Sequence, residues 1–338
     1  MSENLIGDVA GLSKPLTKLI EVVSKALGQW ASPYLQRKAA EASAYELNLM
    51  TEAMQRAGIV PDQIEYEGGK IKLSAGRSGQ GNGVEAAVLG AEELSQRATQ
   101  RANYQLLVQQ QNIEAICALA AEQLSAESNV PDSMPDPDWS ARFFEYSANV
   151  SDEEFRKLWG QILAGEVCSP GSFSLRALDV LRSLSRFEAE TFKDFGRFML
   201  QDVEGSVCAI IPDGLSSDSF AGATMRDLLT LSGAGLTREQ RYQVNYQSIG
   251  SQSPVKLYYG PLVLLIEIGY PIQMVSVPIV GLTPAGSELA RLLTIDPDME
   301  YIKIIGTIIS NQGGRLAWAK LRPKHENQED FGEKTYVD

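Results

Sequence analysis

The chain has 338 residues, 44% hydrophobic and 22% charged, a composition that fits two or three folded units and excludes global disorder. Its formal charge of −13 disfavours a general nucleic-acid binder, because phosphate attraction needs a basic face. Cys117, Cys168 and Cys208 are odd in number and far apart, which excludes a readable disulfide framework or paired-cysteine zinc knuckle and leaves buried, reduced thiols as the expectation.

From Leu5 an apolar stripe runs through Val9, Leu12, Leu16, Leu19, Ile20, Val23, Leu27 and Trp30 in steps of three and four, one side of a helix. Lys14, Lys18 and Lys25 rim it, so this end is a local basic island in an acidic chain. Pro15 bends the segment and helps to start its second piece. The stripe must be buried against the chain's own core, a second copy, or a lipid surface. Half-burying its large side chains in a bilayer interface is worth on the order of 5 kcal/mol, and each lysine adds about 1 kcal/mol at an anionic leaflet. The expectation is that this greasy side stays available to an anionic membrane surface or a partner protein.

A second, alanine-rich helix is read from Tyr34 to Ala57, closed by Gly58. Residues 61–83 form a glycine-rich linker, a loop or exposed hairpin. A long helix from Val84 to Leu124 follows, with a break near Ser95. Gly81-Asn82-Gly83-Val84-Glu85-Ala86 fits a dinucleotide-binding spacing, but no parallel strand follows to complete the unit, so a flexible loop is the better reading.

The stretch from Val130 to Leu200 reads as compact and helical. Ser151 and Glu154 are spaced for a capping box, ahead of a buried stripe of Phe155, Leu158, Trp159, Ile162 and Leu163 that Gly165 ends. Arg142 and Arg176 are expected in buried ion pairs or stacked on Trp139 or Trp159. Further helices run from Ser174 to Leu184 and from Glu188 to Leu200.

Beyond Gln201 strands are expected at Val207–Ile211, Val255–Tyr259, Leu262–Ile268 and Val275–Val280, with helices at Thr224–Leu231 and after the Thr283-Pro284 start signal. This order suggests a winged-helix-like module. Ile302–Ser310 and Arg315–Leu321 read as a hairpin, and the end from Lys324 as an acidic tail. The resulting domain plan is 1–60 amphipathic and alanine-rich helices, 61–83 linker, 84–200 helical domain, 201–295 winged-helix-like domain, 296–323 hairpin and 324–338 tail. The fold class is α+β.

Three pieces resemble a known family: Leu12-Ser13-Lys14-Pro15 through Lys25; Asp136-Pro137-Asp138-Trp139 with Arg142-Phe143-Phe144; and Leu158-Trp159-Gly160 through Glu166, leading to Pro170-Gly171-Ser172-Phe173-Ser174-Leu175-Arg176. The family is bacterial and known only as a domain of unknown function, and the resemblance covers roughly residues 5 to 295. The N-terminal piece also resembles the opening of abortive-infection-type proteins, which implies a setting in anti-phage defence. No catalytic residue can be carried over.

The residues themselves point the same way. The one histidine, His325, lies beside the acidic tail, where a hydrolase base would be out of place. Asp136, Asp138, Asp152, Glu153, Glu154 and Glu166 are candidates for a carboxylate pair or a magnesium site, but helix capping explains several of them. Neither cofactor nor metal is expected. The sequence-level reading is a non-enzymatic, homo-oligomerising sensor or effector acting through residues 5–30, cytoplasmic or peripheral at the inner face of a membrane. The rivals are a regulatory DNA-binding protein, with the helix at Arg226 and Asp227 and a turn carrying Arg238, Glu239 and Arg241, and an acid- or metal-dependent hydrolase.

Overall fold

A computed structural model describes residues 13–27, 64–67, 70–73, 85–127, 130–212, 224–247, 254–269, 274–322 and 331–337. The fold is α+β, with the longest helices in the first half and an eight-stranded antiparallel sheet, accompanied by shorter helices, in the second. The chain divides into two compact units at Gly171/Ser172. This break falls well before residue 200, so the two helices after it fold with the sheet rather than with the earlier helices.

In the first unit, α1 spans Lys14–Leu27, the hairpin strands β1 and β2 span Ile64–Glu67 and Lys70–Leu73, and α2 spans Glu85–Leu124. The two strands pair antiparallel, Ile64 with Leu73 and Glu67 with Lys70. Helix α2 passes Ser95 without interruption, because a single serine costs a helix too little to break it. The helix read at Tyr34–Ala57 lies outside the described residues.

Pro137–Ser147 forms α3 and Glu153–Cys168 forms α4. Helix α4 starts one residue later than the sequence suggested. Asp152, not Ser151, is the cap, accepting from the backbone N–H of Glu154 at 2.9 Å and of Phe155 at 3.1 Å. Gly165 does not end it, and the helix runs on to Cys168. Trp139, Phe143 and Trp159 make the centre of this unit, with Trp139 stacked on Phe143 at 5.1 Å and Phe143 edge-on to Trp159 at 5.2 Å. Helix α2 lies against α4 where Gly160 sits under Leu119, and a Cβ at Gly160 would stand 2.8 Å from the Leu119 Cβ. Arg142 and Arg176 are exposed, so neither is the buried pair expected; Arg142 reaches the Tyr146 hydroxyl at 3.5 Å.

The second unit opens with α5 (Leu175–Ser183) and α6 (Arg186–Phe195), then β3 (Leu200–Gln201), β4 (Val207–Ile210), α7 (Met225–Gly233) and β5 (Thr237–Gln247). After these come β6 (Val255–Tyr259), β7 (Leu262–Glu267), β8 (Met274–Leu282), α8 (Pro284–Ala290), α9 (Met299–Ser310), β9 (Arg315–Lys320) and β10 (Thr335–Tyr336). Strands β3 to β10 form one antiparallel sheet in the order β10-β9-β7-β6-β3-β4-β8-β5. The segments assigned to a winged-helix-like module and a separate hairpin are therefore one continuous sheet, joined across residue 295 by β7–β9 pairing. Arg238, Glu239 and Arg241 lie on β5, not in a turn after a recognition helix.

Ile302–Ser310 is helical, contrary to the strand reading. Its isoleucines favour strands, but Asp298 caps the backbone N–H groups of Glu300 and Tyr301, and Tyr301, Ile302, Ile305 and Ile309 are buried at helical spacing. Tyr301 ties this helix to the sheet. Its fully buried hydroxyl accepts from Ile210 N–H at 2.8 Å and faces the carbonyls of Phe198 and Ile210, each at 3.1 Å. Tyr301→Phe is expected to leave buried backbone groups unpaired and to lower stability by about 2 kcal/mol, measured by urea denaturation. An unchanged midpoint would show that the hydroxyl is dispensable.

Candidate functional site

Helix α1 sits against α2, α3 and α4 of its own unit. Leu19 is 0% exposed, Val23 1%, Val22 2% and Ile20 8%. The amphipathic spacing is thus used internally, and the outward availability expected of Leu19, Ile20 and Val23 does not hold. The packing surface offered by α3 and α4 satisfies the same apolar stripe that a bilayer would satisfy. Leu16 and Leu27 are half-buried, and Leu5, Val9, Leu12 and Trp30 lie outside the described residues. Val22 was missed by the sequence reading, although its place three residues after Leu19 is a helical-face signal.

Lys18 is also buried. Its Nζ donates to the carbonyl of Pro131 at 2.8 Å and to that of Val167 at 2.9 Å, placing an ammonium at the electronegative end of α4. Burial holds its pKa below the ordinary lysine value. Lys14 pairs with exposed Asp132 at 2.7 Å, a contact that water and salt screen heavily. Lys25 is exposed on the last turn of the helix. Of the lysine rim, one member is a structural clamp, one is ion-paired and Lys25 faces outward.

Beside α1 is a cleft of about 570 Å³, entirely within the first unit. Val22, Lys25 and Ala26 form one wall, and Met134, Pro135 and Pro137 contribute to the rest. The prolines fix their own backbone and bring no N–H groups, which makes the lining stiff and largely apolar. Asp136 at the cleft caps α3, accepting from Asp138 N–H at 2.9 Å and Trp139 N–H at 3.0 Å. What the arrangement offers a ligand is shape, apolar contact and the Lys25 ammonium.

Four of the six acidic candidates have structural tasks. Asp136 and Asp152 are caps, Glu154 pairs with Lys157 at 2.7 Å, and Glu166, 1% exposed, accepts from Gly171 N–H at 2.5 Å. That contact holds the turn in which Gly171 takes a left-handed φ of +87°. Among the described residues no group of three or more His, Cys, Asp or Glu is gathered as metal ligands would be. Cys117 is buried and Cys168 and Cys208 are half-buried, all unbridged; burial pushes the thiols of Cys117 and Cys208 up to about 12, and that of Cys168 upward as well, which keeps them protonated near neutral pH. His325 lies outside the described residues. No helix among the described residues is long and apolar enough to cross a membrane.

Residues 96–306 match the family described as "Protein of unknown function (DUF2806)", a span that includes the α1-facing helices α3 and α4 and most of the sheet. No curated protein and no solved structure matches.

Proposed function

Because the chain belongs to the DUF2806 family over more than half its length, a family whose description carries no reaction, we infer its role from the geometry: a non-enzymatic, oligomerising sensor or effector that engages a partner protein at the cleft beside α1. One observation carries this reading. Helix α1 buries Leu19, Ile20, Val22 and Val23 in its own unit yet leaves Lys25 and Ala26 accessible at the wall of a stiff apolar cleft. Burial of Lys18 and pairing of Lys14 reduce what this helix has to offer an anionic membrane. A folded partner segment with an apolar side chain and an acidic neighbour satisfies both the cleft wall and Lys25. The N-terminal resemblance to abortive-infection-type proteins supports bacterial anti-phage defence as the setting.

A photo-crosslinking amino acid at Ala26 of the full-length protein is the direct test. A discrete crosslinked partner is expected in cells, lost with Lys25→Glu and retained with Arg186→Glu, an exposed charge reversal in the second unit. In parallel, the protein is expected to stay in the supernatant with phosphatidylglycerol vesicles. Co-sedimentation at low salt that Lys25→Glu abolishes would replace the protein partner with a lipid surface.

A further inference from the structure

In the second unit, β4, β5, β6 and β8 border a groove of about 530 Å³. Tyr242 and Tyr246 from β5, Ile279 from β8 and Leu257 from β6 contribute to its lining, and the β3–β4 turn brings Asp202 and Glu204 to it. Tyr242 is 44% exposed although it packs toward the sheet, its hydroxyl lying 2.6 Å from where a Cβ on Gly281 would stand. Glycine at 281 therefore makes room for the phenol at the groove, and any larger residue would displace it.

We propose that this groove binds a basic segment of a partner protein, seating an arginine or lysine side chain against Tyr242 and Tyr246 with Asp202 and Glu204 as its counter-charges. The argument is charge complementarity combined with aromatic lining. Ring faces attract guanidinium and ammonium groups, and carboxylates in the same lining supply their counter-charge. The position of Asp202 is fixed: one carboxylate oxygen accepts from Glu204 N–H at 2.9 Å and Ser206 N–H at 2.8 Å, which holds the turn in place. The cation already in the lining, Lys256, has its ammonium 5.0 Å from the Phe331 ring centre, turned to a neighbour outside the groove. Phosphate backbones are repelled by the same carboxylates. The proposal rests on the second unit alone and stands apart from the cleft beside α1.

The test titrates full-length protein carrying 13C-labelled tyrosine with acetyl-tetra-arginine amide, against acetyl-tetraglutamate amide and a short DNA duplex. Saturable shifts of the Tyr242 and Tyr246 ring signals are expected with the arginine peptide only. Tyr242→Leu is expected to weaken binding about tenfold while preserving the net charge, which separates the groove from bulk attraction to an acidic protein. Glu204→Gln is expected to weaken it a few-fold and to flatten its salt dependence. If Tyr242→Leu does not fold, Tyr246→Leu replaces it with the same expectation. Equal affinity in a folded tyrosine variant, or ring shifts caused by the glutamate peptide or the duplex, would overturn the proposal.

Discussion

Leu19→Glu is expected to destabilise the helical unit by at least about 4 kcal/mol, with loss of its helical circular-dichroism signal and of its protease resistance at ambient temperature. Leu19 is 0% exposed on α1, so the substitution removes a fully buried side chain and puts a carboxyl group in its place. The apolar loss alone, judged from leucine-to-alanine changes in cores, is about 2–5 kcal/mol. An unpaired carboxylate adds a desolvation penalty, which the group relieves in part by staying protonated. Neighbouring Lys18 offers no escape, because its ammonium is already committed to the carbonyls of Pro131 and Val167. The consequence bears on function. Loss of any binding activity in Leu19→Glu or Ile20→Glu reports unfolding of the unit, whereas Lys25→Glu, at an exposed position, reports contact. A Leu19→Glu protein with the wild-type melting curve would mean that α1 is not held by α2, α3 and α4.

Gly286→Ala is the second large effect, and its sign opposes helix propensity. Alanine normally stabilises a helix interior by up to about 1 kcal/mol over glycine. Here a Cβ would lie 1.9 Å from the Leu236 carbonyl oxygen and 2.8 Å from its carbon. That oxygen cannot move aside cheaply. It accepts from Thr283 N–H at 3.0 Å, while the Thr283 hydroxyl donates to the Gly235 carbonyl at 2.6 Å and accepts from Gly286 N–H at 3.0 Å. The start of α8 and the turn before β5 are locked together, and an added methyl group must break the lock. A net loss of about 4 kcal/mol is expected, read as a lower urea midpoint with an unchanged slope. A midpoint equal to or above wild type would show that the close approach relaxes at little cost.

Local signals were reliable where their partners are neighbours in sequence. Thr283-Pro284 starts α8 as read, because a cap is completed within three residues, and the helix read from Thr224 begins there, with Thr224 itself as the cap accepting from Asp227 N–H. Strands β6 and β7 were legible from their apolar runs and the Gly260-Pro261 break between them. Strand β5 was not. Most of its residues are polar, and it is held as a sheet edge by long pairing to β8, from Tyr242↔Ile279 to Gln247↔Met274, which no nearby residue announces. Helix α9 failed in the opposite sense, since a short isoleucine-rich run satisfies both periodicities until burial chooses one.

The candidate site divides in the same way. The sequence by itself determined that Lys14–Leu27 is an amphipathic helix with Leu19, Ile20 and Val23 on one side, because side-chain direction follows from helical periodicity alone. Only the tertiary structure decided what that side meets. Leu19 fills its own unit, and Lys18 turns inward to carbonyls 113 and 149 residues away in the chain. A helix with one greasy face has the same pattern whether lipid, partner or core covers it, since the hydrophobic effect is indifferent to the identity of the apolar surface that excludes the water.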